Sequence, residues 1–320
     1  MFFKSSFFIG IFIVLLAQFA QAKTTKPSQD DFDIWKKDFA QTLVEQHKIS
    51  PTLVNHIIVD AKLNPHIIKK DKNQLHKKVS LDTYLKRVLS KARSIKGKGK
   101  YKKHHTALKD AEQTHKVDAS VIVALWGVES FYGERQGKHI ISDALLTLIY
   151  EGRREKFFTK ELLHILAIMQ EQRLQKEEIK GSWAGAMGAT QFMPSSYTHY
   201  AYDGNNDGKK NIWNDHADIF HSAANYLHKN RYKFNEPIAI EVKPHKSVGK
   251  SYAMRDWQKK SIIFKDQQEK IPNAQLQATL KKYKNRYFLV FRNFKAIKRW
   301  NNADYFALSV ALLAKDIAQP

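Results

Sequence analysis

The chain has 320 residues, with 54 Lys and Arg against 31 Asp and Glu, a formal net charge of +23 at pH 7 and no cysteine. That length is enough for one large domain or two smaller ones, and a chain without cysteine has neither a disulfide scaffold nor a lipid-bearing cysteine. The excess of positive charge suits an anionic polymer, such as cell-wall polymer, acidic lipid or nucleic acid.

Residues 1–22 are typical of a signal peptide. Lys4 precedes an apolar stretch from Phe7 to Phe19, and the small residues Ala20 and Ala22 flank Gln21 as at a signal peptidase site. The stretch is short for a membrane span, so we expect cleavage, export to the periplasm and no stable membrane anchor. Export disfavours nucleic acid as a partner, and no nucleic-acid reader motif is present.

The segment 23–103 is predicted to be an N-terminal helical region. Apolar residues recur at helical spacing at 32–46, 50–61 and 80–89. The basic, glycine-bearing run 97–103 interrupts this pattern, which predicts a solvated loop.

Glu129 is the most informative residue of the next segment. It lies in the apolar run 121–133, three residues after Trp126, and therefore shares the inward face of a predicted helix. With Asp118 as the N-cap and Gly133 as the stop, Glu129 falls in the last turn, where burial and the negative helix end both raise a carboxyl pKa. Such a carboxyl can donate a proton near neutral pH. From this helix alone, a structurally paired glutamate is equally consistent with the pattern.

A run of small residues follows at 181–194, after which Ser195, Ser196 and Tyr197 continue the chain. Small residues let a backbone approach a ligand closely, and Ser182, Gln191 and Tyr197 would supply polar contacts beside it. A tight helix crossing is the alternative explanation. Around this predicted loop we expect helices at 142–150, 159–173 and 215–229.

The segment 203–214 matches an EF-hand loop. A hard cation needs oxygen ligands at alternating positions, because the loop wraps around it. This predicts a structural Ca²⁺ or Na⁺ site, with no cofactor required for chemistry, whereas an Asx-rich turn is the alternative. The predicted ligands are Asp203, Asn205, Asp207, the Lys209 carbonyl and Asn214, with Asp215 as a substitute for Asn214.

Beyond residue 236 the pattern changes to short β-branched and aromatic runs. They predict strands of a small antiparallel sheet at 238–242, 261–264 and 286–291, followed by a closing helix at 303–317. Just before that helix, Trp300 and Asn301 offer the stacking surface and the amide that a sugar with an acetamido group would use. An ordinary turn with a core tryptophan explains the pair equally well.

Five blocks of the sequence together resemble the membrane-bound lytic murein transglycosylase B group, glycoside hydrolase family 103, which cleaves peptidoglycan. The resemblance is continuous over about 81–230 and resumes near the C-terminus. The blocks are Trp126–Gly133, Gly152-Arg153-Arg154, 181–197, 203–214 and Arg299-Trp300-Asn301.

The resemblance implies an α+β protein in which a mainly helical, lysozyme-like catalytic body at 104–235 precedes a small β subdomain and closing helix at 236–320. It implies that Glu129 is the sole catalytic carboxylate. Trp300 replaces the family's usual tyrosine, and Ala189-Thr190 replaces a more typical Tyr-Gly. The residues implied to line the sugar subsites are Ser182, Gln191 and Asn301, with Tyr84, Arg153, Arg154 and Tyr226 aligned to other cleft positions.

The implied reaction follows from having one acid, since ordinary glycosidases use two carboxylates. Muramic acid carries its own acetamido group and 6-hydroxyl, so Glu129 would act first as acid and then as base, forming a 1,6-anhydromuramoyl end. The alternatives are a non-catalytic peptidoglycan-binding protein and a lysozyme-type hydrolase. Expected partners are glycan strands and other cell-wall enzymes, with the protein itself a monomer.

Overall fold

The computed structural model describes residues 27–74 and 79–319, so the predicted signal peptide at 1–22 lies outside the described residues. Within those ranges the chain is mostly helical, with two small antiparallel sheets, which confirms the predicted fold class. No helix in this part of the chain has the length and apolar character needed to span a membrane. The predicted boundaries 23–103, 104–235 and 236–320 stay a prediction.

Serine side chains set the starts of the N-terminal helices. Ser28, Ser50 and Ser80 each accept a hydrogen bond from a first-turn amide, which satisfies a donor that the helix itself leaves unpaired. The helices predicted near 32–46, 50–61 and 80–89 are confirmed, and a further helix lies between the last two. The four are α1 (Gln29–Glu45), α2 (Pro51–Ile58), α3 (Pro65–Gln74) and α4 (Leu81–Val88).

The predicted loop at 97–103 is wrong, because these residues end helix α5 (Lys91–Lys103). Gly97 is buried against the ring of Tyr132 and the side chain of Ile317, and a Cβ atom there would lie only 2.4 Å from the tyrosine hydroxyl oxygen. The glycine therefore permits close helix packing instead of marking a turn. The lysines that suggested a loop lie on the more exposed side of the helix.

Two alanine substitutions in α5 test this explanation. We expect Gly97→Ala to lower the free energy of unfolding by about 1–3 kcal/mol through overpacking. A Cβ atom added at Gly99 would have no heavy atom within 4 Å, so Gly99→Ala is expected to raise that free energy by up to about 1 kcal/mol through helix propensity. Urea titrations of both variants measure the difference, and equal effects would contradict the packing role of Gly97.

Helix α7 (Ala119–Ser130) lies at the centre of the helical body and packs against four other helices. It ends at Ser130, and the chain then turns through three residues with positive φ, from Phe131 to Gly133. The helix therefore ends three residues before the predicted stop at Gly133. The remaining helices of the body are α6 (His105–His115), α8 (Ile141–Glu151), α9 (Glu155–Gln172), α10 (Pro194–Tyr200), α11 (His216–Lys229), α13 (Arg292–Trp300) and α14 (Asp304–Ala318).

A two-stranded ribbon carries the small-residue loop. Strand β1 (His139–Ile140) pairs antiparallel with β2 (Lys180–Gly181), and the loop continues directly from Gly181. Gly137, just before β1, has a φ of 92°, and a Cβ atom there would meet the carbonyl oxygen of Gly181 at 2.0 Å. The ribbon therefore depends on a glycine at this position.

The second sheet has four antiparallel strands in the order β3, β6, β5, β4 and a hydrophobic cluster of its own around Trp257. The strand predicted at 261–264 is wrong: Ser261 has a φ of 57° after the short helix α12 (Met254–Lys259), and only Phe264 bridges to the sheet. The strands are β3 (Ala239–Val242), β4 (Ser251–Ala253), β5 (Gln277–Tyr283) and β6 (Arg286–Val290).

Candidate functional site

Glu129 lies in the last turn of α7, half-buried among residues that are otherwise almost all buried. The indole Nε1 of Trp300 donates a hydrogen bond to its Oε1 atom across 2.7 Å. Burial raises the pKa of Glu129 to about 8, and the Trp300 hydrogen bond opposes that rise. The carboxyl is therefore protonated at neutral pH, as a general acid must be.

This pKa predicts a stability cost that a neutral side chain would remove. Because the folded pKa of about 8 exceeds the ordinary value of 4.5, stability is full below 4.5 and falls as the pH rises to about 8. We expect Glu129→Gln to be more stable than wild type by roughly 2–4 kcal/mol above pH 8, after allowance for partial exposure, with the gain absent near pH 4. Thermal unfolding across this range measures it, and a pH-independent difference would contradict the raised pKa.

An aromatic cluster holds Trp300 beside the acid. The Trp300 ring lies 4.7 Å from the ring of Tyr226 and 5.0 Å from that of Phe192, measured between centroids. The Tyr226 hydroxyl donates to the carbonyl of Arg299 across 2.6 Å, which fixes the end of α13. The sequence predicted Trp300 and Tyr226 near the site; the structure places Trp300 against Glu129 and Tyr226 against Trp300.

The small-residue loop is tied to α7 by a residue that sequence reasoning missed. Ser130 donates from its Oγ atom to the carbonyl of Ala189 across 2.7 Å and accepts from the amide of Gly133 at 2.9 Å. The sequence signal that could have identified Ser130 is its position directly after Glu129. The loop is therefore held against the end of α7, which carries Glu129.

Ser182 and Gln191 organise the loop internally. The Ser182 Oγ atom accepts hydrogen bonds from the amides of Ala184 and Ala186, so its own hydroxyl hydrogen is the group available to a ligand. The side-chain amide of Gln191 donates to the carbonyls of Gln136 and Gly188, which leaves its oxygen as the acceptor that a ligand can use.

Tyr84 and Asn301 complete the surroundings of the acid. Burial raises the pKa of the half-buried Tyr84 phenol, and the nearby Glu129 carboxylate adds to the rise, which puts the two groups in electrostatic contact. Asn301 is exposed immediately after Trp300, so its amide is free to meet a ligand from solvent. Trp300 and Tyr84 therefore lie beside Glu129. The loop that carries Ser182 and Gln191 is joined to the end of α7 through Ser130.

Three predicted site residues lie in other environments. Tyr197 is buried, and its hydroxyl donates to the carbonyl of Lys210, so it supports the loop 203–214 from inside the protein. Arg153 and Arg154 both pair with the buried carboxylate of Asp71 on α3, a residue that sequence reasoning missed. The described contacts of these three side chains do not include Glu129.

The predicted cation loop has the fold of an oxygen-rich turn. The Asp203 carboxylate accepts the amides of Asp207 and Gly208, and the Asn205 side-chain amide lies 3.0 Å from an oxygen of Asp215. This contact brings Asp215 to the loop, so Asp215 is a ligand candidate beside the predicted Asn214. No three His, Cys, Asp or Glu side chains of the described residues are grouped to hold a metal ion, so a cation here would also need Asn205 and the Lys209 carbonyl.

A groove of about 1030 Å³ lies beyond the end of α7, and Glu129 is not among the residues that line it. Its lining includes the cations Arg135, Lys138, Lys180, Lys209 and Lys210, together with three glutamates. The excess of cations suits contact with an anionic polymer next to the loop that carries Ser182 and Gln191.

Comparison with known proteins identifies relatives over most of the chain. The family described as Transglycosylase SLT domain matches residues 31–315. The chain is 31% identical over 228 residues to membrane-bound lytic murein transglycosylase B of Escherichia coli (strain K12), which covers 68% of this chain and 62% of that protein. The match thus spans about three fifths of that curated relative's length.

Solved structures agree with this match. SltB3 from Pseudomonas aeruginosa in complex with NAG-NAM-pentapeptide has a TM-score of 0.84 at 30% identity, over 90% of this chain and 80% of that chain. The Escherichia coli lytic transglycosylase Slt35 in complex with calcium has a TM-score of 0.75 at 28% identity, over 88% of this chain and 92% of that chain.

Proposed function

Because the chain belongs to the family described as Transglycosylase SLT domain, we propose that it is a lytic transglycosylase acting on peptidoglycan. It cleaves the bond between N-acetylmuramic acid and N-acetylglucosamine and leaves 1,6-anhydromuramoyl ends. The observation that carries this proposal is Glu129, a half-buried carboxyl whose pKa is raised to about 8. A carboxyl protonated at neutral pH beside Trp300 and Tyr84 supplies the acid that glycosidic bond cleavage needs.

The reaction uses one carboxyl twice. Glu129 gives its proton to the glycosidic oxygen as the bond from that oxygen to C1 of muramic acid breaks. The substrate's acetamido oxygen stabilises the cationic C1, and the ionised Glu129 then takes the proton of the 6-hydroxyl as that oxygen bonds to C1. The proton returns to Glu129 and no water is consumed, so the product is an anhydro sugar.

The surroundings of Glu129 favour this scheme over hydrolysis by two carboxylates. Burial and the Trp300 hydrogen bond account for its pKa, and no acidic side chain of the described residues contributes. Glu134, the next glutamate, lies beyond the helix end, where it is largely exposed and forms an ion pair with Lys96. A second catalytic carboxylate would have to lie within about 10 Å of the first and aim at the same bond.

We assign the sugar contacts to polar and aromatic groups on the segments next to Glu129. The Ser182 hydroxyl, the Gln191 amide oxygen and the exposed Asn301 amide are suited to acetamido and hydroxyl groups, and Trp300 to a ring face. Tyr226 is buried and would support the Trp300 ring from behind. Support comes from SltB3, a relative solved with NAG-NAM-pentapeptide. Tyr84 would approach the reacting sugar from α4.

A sacculus digestion tests this function against a non-catalytic wall-binding protein. The exported form, without residues 1–22, is incubated with purified sacculi, and the soluble fraction is analysed for muropeptides. We expect soluble fragments to accumulate with time. Binding to sacculi without any release would establish the non-catalytic alternative instead.

We propose that the protein acts in the periplasm as a monomer, with glycan strands as its substrate and other cell-wall enzymes as candidate partners.

We also propose that the loop 203–215 binds a structural Ca²⁺. A relative of known structure was solved in complex with calcium, and in this chain the side-chain oxygens of Asp203, Asn205, Asp207 and Asp215 face one turn. The ion would fix the start of α11, since Asp215 is its N-cap. It takes no part in the proton transfers.

Thermal unfolding tests the calcium proposal without reference to activity. At a Ca²⁺ concentration of about 100 Kd we expect a stabilisation of about 2.7 kcal/mol over the chelator-treated protein. The double variant Asp203→Asn, Asp207→Asn should lose this response, whereas Asp256→Asn, on the solvent side of α12 in the β subdomain, should keep it. A response retained by the double variant would place the ion elsewhere.

A further inference from the structure

Trp300 makes a contact that sugar stacking does not require. Its indole Nε1 donates to Oε1 of Glu129 across 2.7 Å, although the two residues are 171 positions apart in the sequence. A tryptophan ring that only stacked on a sugar could leave this N–H in solvent. Here the N–H is directed at the carboxyl that is the best candidate for the acid.

The chemistry of indole determines what this hydrogen bond does. An indole N–H can donate and cannot accept, in contrast to a hydroxyl or a histidine nitrogen. A protonated carboxyl accepts more strongly at its carbonyl oxygen than at its hydroxyl oxygen. The indole bond to Oε1 therefore favours the form of protonated Glu129 whose proton is on Oε2. When Glu129 is ionised, the same bond becomes charge-assisted and stronger. The contact thus distinguishes the two oxygens of the acid in both of its protonation states.

The ring is held firmly enough to fix this geometry. It lies against Tyr226 and Phe192, with centroid distances of 4.7 and 5.0 Å. Trp300 is also the last residue of α13, and the preceding carbonyl, that of Arg299, accepts the Tyr226 hydroxyl. The indole N–H is consequently positioned before any substrate arrives, and little reorganisation accompanies proton transfer.

We propose that Trp300 is a positioning residue for Glu129: it keeps the transferable proton on Oε2, directed at the glycosidic oxygen, and stabilises the carboxylate between the two proton transfers. This inference rests on the proposed function. It adds a step-specific role, because the indole bond strengthens as Glu129 loses its first proton and weakens as the 6-hydroxyl returns it. Trp300 thus lowers the barrier of the acid step while Glu129 remains basic enough to finish the reaction.

Other charged groups near α7 contact different parts of the helix. On α5, Arg93 donates to the carbonyl of Gly127, and Lys100 lies over the Trp126 ring. Burial and the Trp300 hydrogen bond are the main influences on the pKa of Glu129, so a change at residue 300 should be visible in its titration. The titratable and charged groups on elements packed against this region are Tyr84 of α4, Arg93, Lys96 and Lys100 of α5, Glu112 of α6, His216 of α11 and Asp316 of α14.

The test is Trp300→Phe, which keeps an aromatic ring and removes the N–H. The matched control is Trp257→Phe, which removes an indole N–H that donates to the carbonyl of Ala278 inside the four-stranded sheet's own hydrophobic cluster. We expect Trp300→Phe to lower kcat by about 10- to 100-fold with a small change in KM, since a charge-assisted bond is lost. The alkaline limb of its pH profile should also move upward by about one unit. Trp257→Phe should keep the position of the wild-type alkaline limb.

Two results would overturn the positioning role. One is a rise in KM with kcat and the alkaline limb unchanged, which would make Trp300 a sugar-stacking residue alone. The other is an alkaline limb that stays in place although kcat falls. A direct NMR titration of the Glu129 carboxyl in wild type and Trp300→Phe separates this inference from the proposed function: an inactive wild type with a shifted Glu129 titration would reject the function and retain the contact.

Discussion

Replacing Glu129 by glutamine is expected to lower the rate of muropeptide release from sacculi by about 100- to 10,000-fold, the range that a general acid contributes. An amide of the same shape can neither give a proton to the glycosidic oxygen nor take one from the 6-hydroxyl. Because Glu129 is the one carboxyl in both steps of the proposed reaction, no second group can compensate. Timed release of soluble fragments measures the loss.

The matched control for this variant is Glu134→Gln. Glu134 is five residues further along, exposed, and paired with Lys96, so its loss should leave the rate within about twofold of wild type, as for most surface changes. Glu129→Gln should remain folded at the assay pH, so lost activity cannot be attributed to unfolding. A Glu129→Gln variant that retained a tenth or more of the wild-type rate would contradict its role as the acid.

The second large effect is expected from Gly137→Ala. An added Cβ would overlap the carbonyl oxygen of Gly181 at 2.0 Å and the amide nitrogen of Ser182 at 2.6 Å, at a φ of 92°. Both neighbours are backbone atoms, so the ribbon itself must move. We expect a loss of roughly 3–5 kcal/mol in the free energy of unfolding, combining backbone strain and overpacking. Activity should fall further, because the loop carrying Ser182 is displaced.

Comparison with Gly152→Ala separates the steric part of this effect from the backbone strain. Gly152 has a φ of 91°, almost the same as Gly137, but no heavy atom lies within 4 Å of its added Cβ. Its substitution should therefore cost only the backbone strain, about 1–2 kcal/mol. Denaturant titrations compare the two variants. Equal losses would mean that conformation, and not the close approach of the two strands, explains Gly137.

Local patterns in the sequence predicted much of this fold. Apolar spacing located Glu129 on the inner face of α7 and predicted the helices near 32–46, 50–61 and 80–89. The membership in a transglycosylase family that the motif blocks implied is confirmed. These features could be predicted because helix periodicity, capping and motif spacing each involve residues that are near one another in the chain.

The errors arose where distant residues determine the structure. Gly97 suggested a loop, but it is a helical residue because Tyr132 and Ile317 pack against it. Strand β5 contains adjacent lysines and lacks the β-branched run that marks a strand. The alternating burial of Ala278 and Leu280 depends on its pairing within the sheet. Pairing between strands cannot be read from either strand alone.

In the candidate site, too, residue types could be predicted from the sequence, whereas contacts between distant residues could not. The sequence predicted Trp300 as a stacking surface, but its bond to Glu129 depends on how α13 docks against α7. Arg153 and Arg154 were predicted in the cleft without the buried Asp71 that pairs with both. Burial and partner choice are properties of the assembled fold, so residue type and spacing alone did not reveal them.

Mass analysis of the fragments released from intact sacculi tests the single-carboxyl mechanism most directly. If Glu129 acts first as acid and then as base, every new muramic acid end is a 1,6-anhydro sugar, lighter by one water molecule than a reducing end. Those ends should be absent from digests with Glu129→Gln. Release of reducing-end muramic acid as the sole product of the wild-type protein would contradict the mechanism and identify the enzyme as a hydrolase.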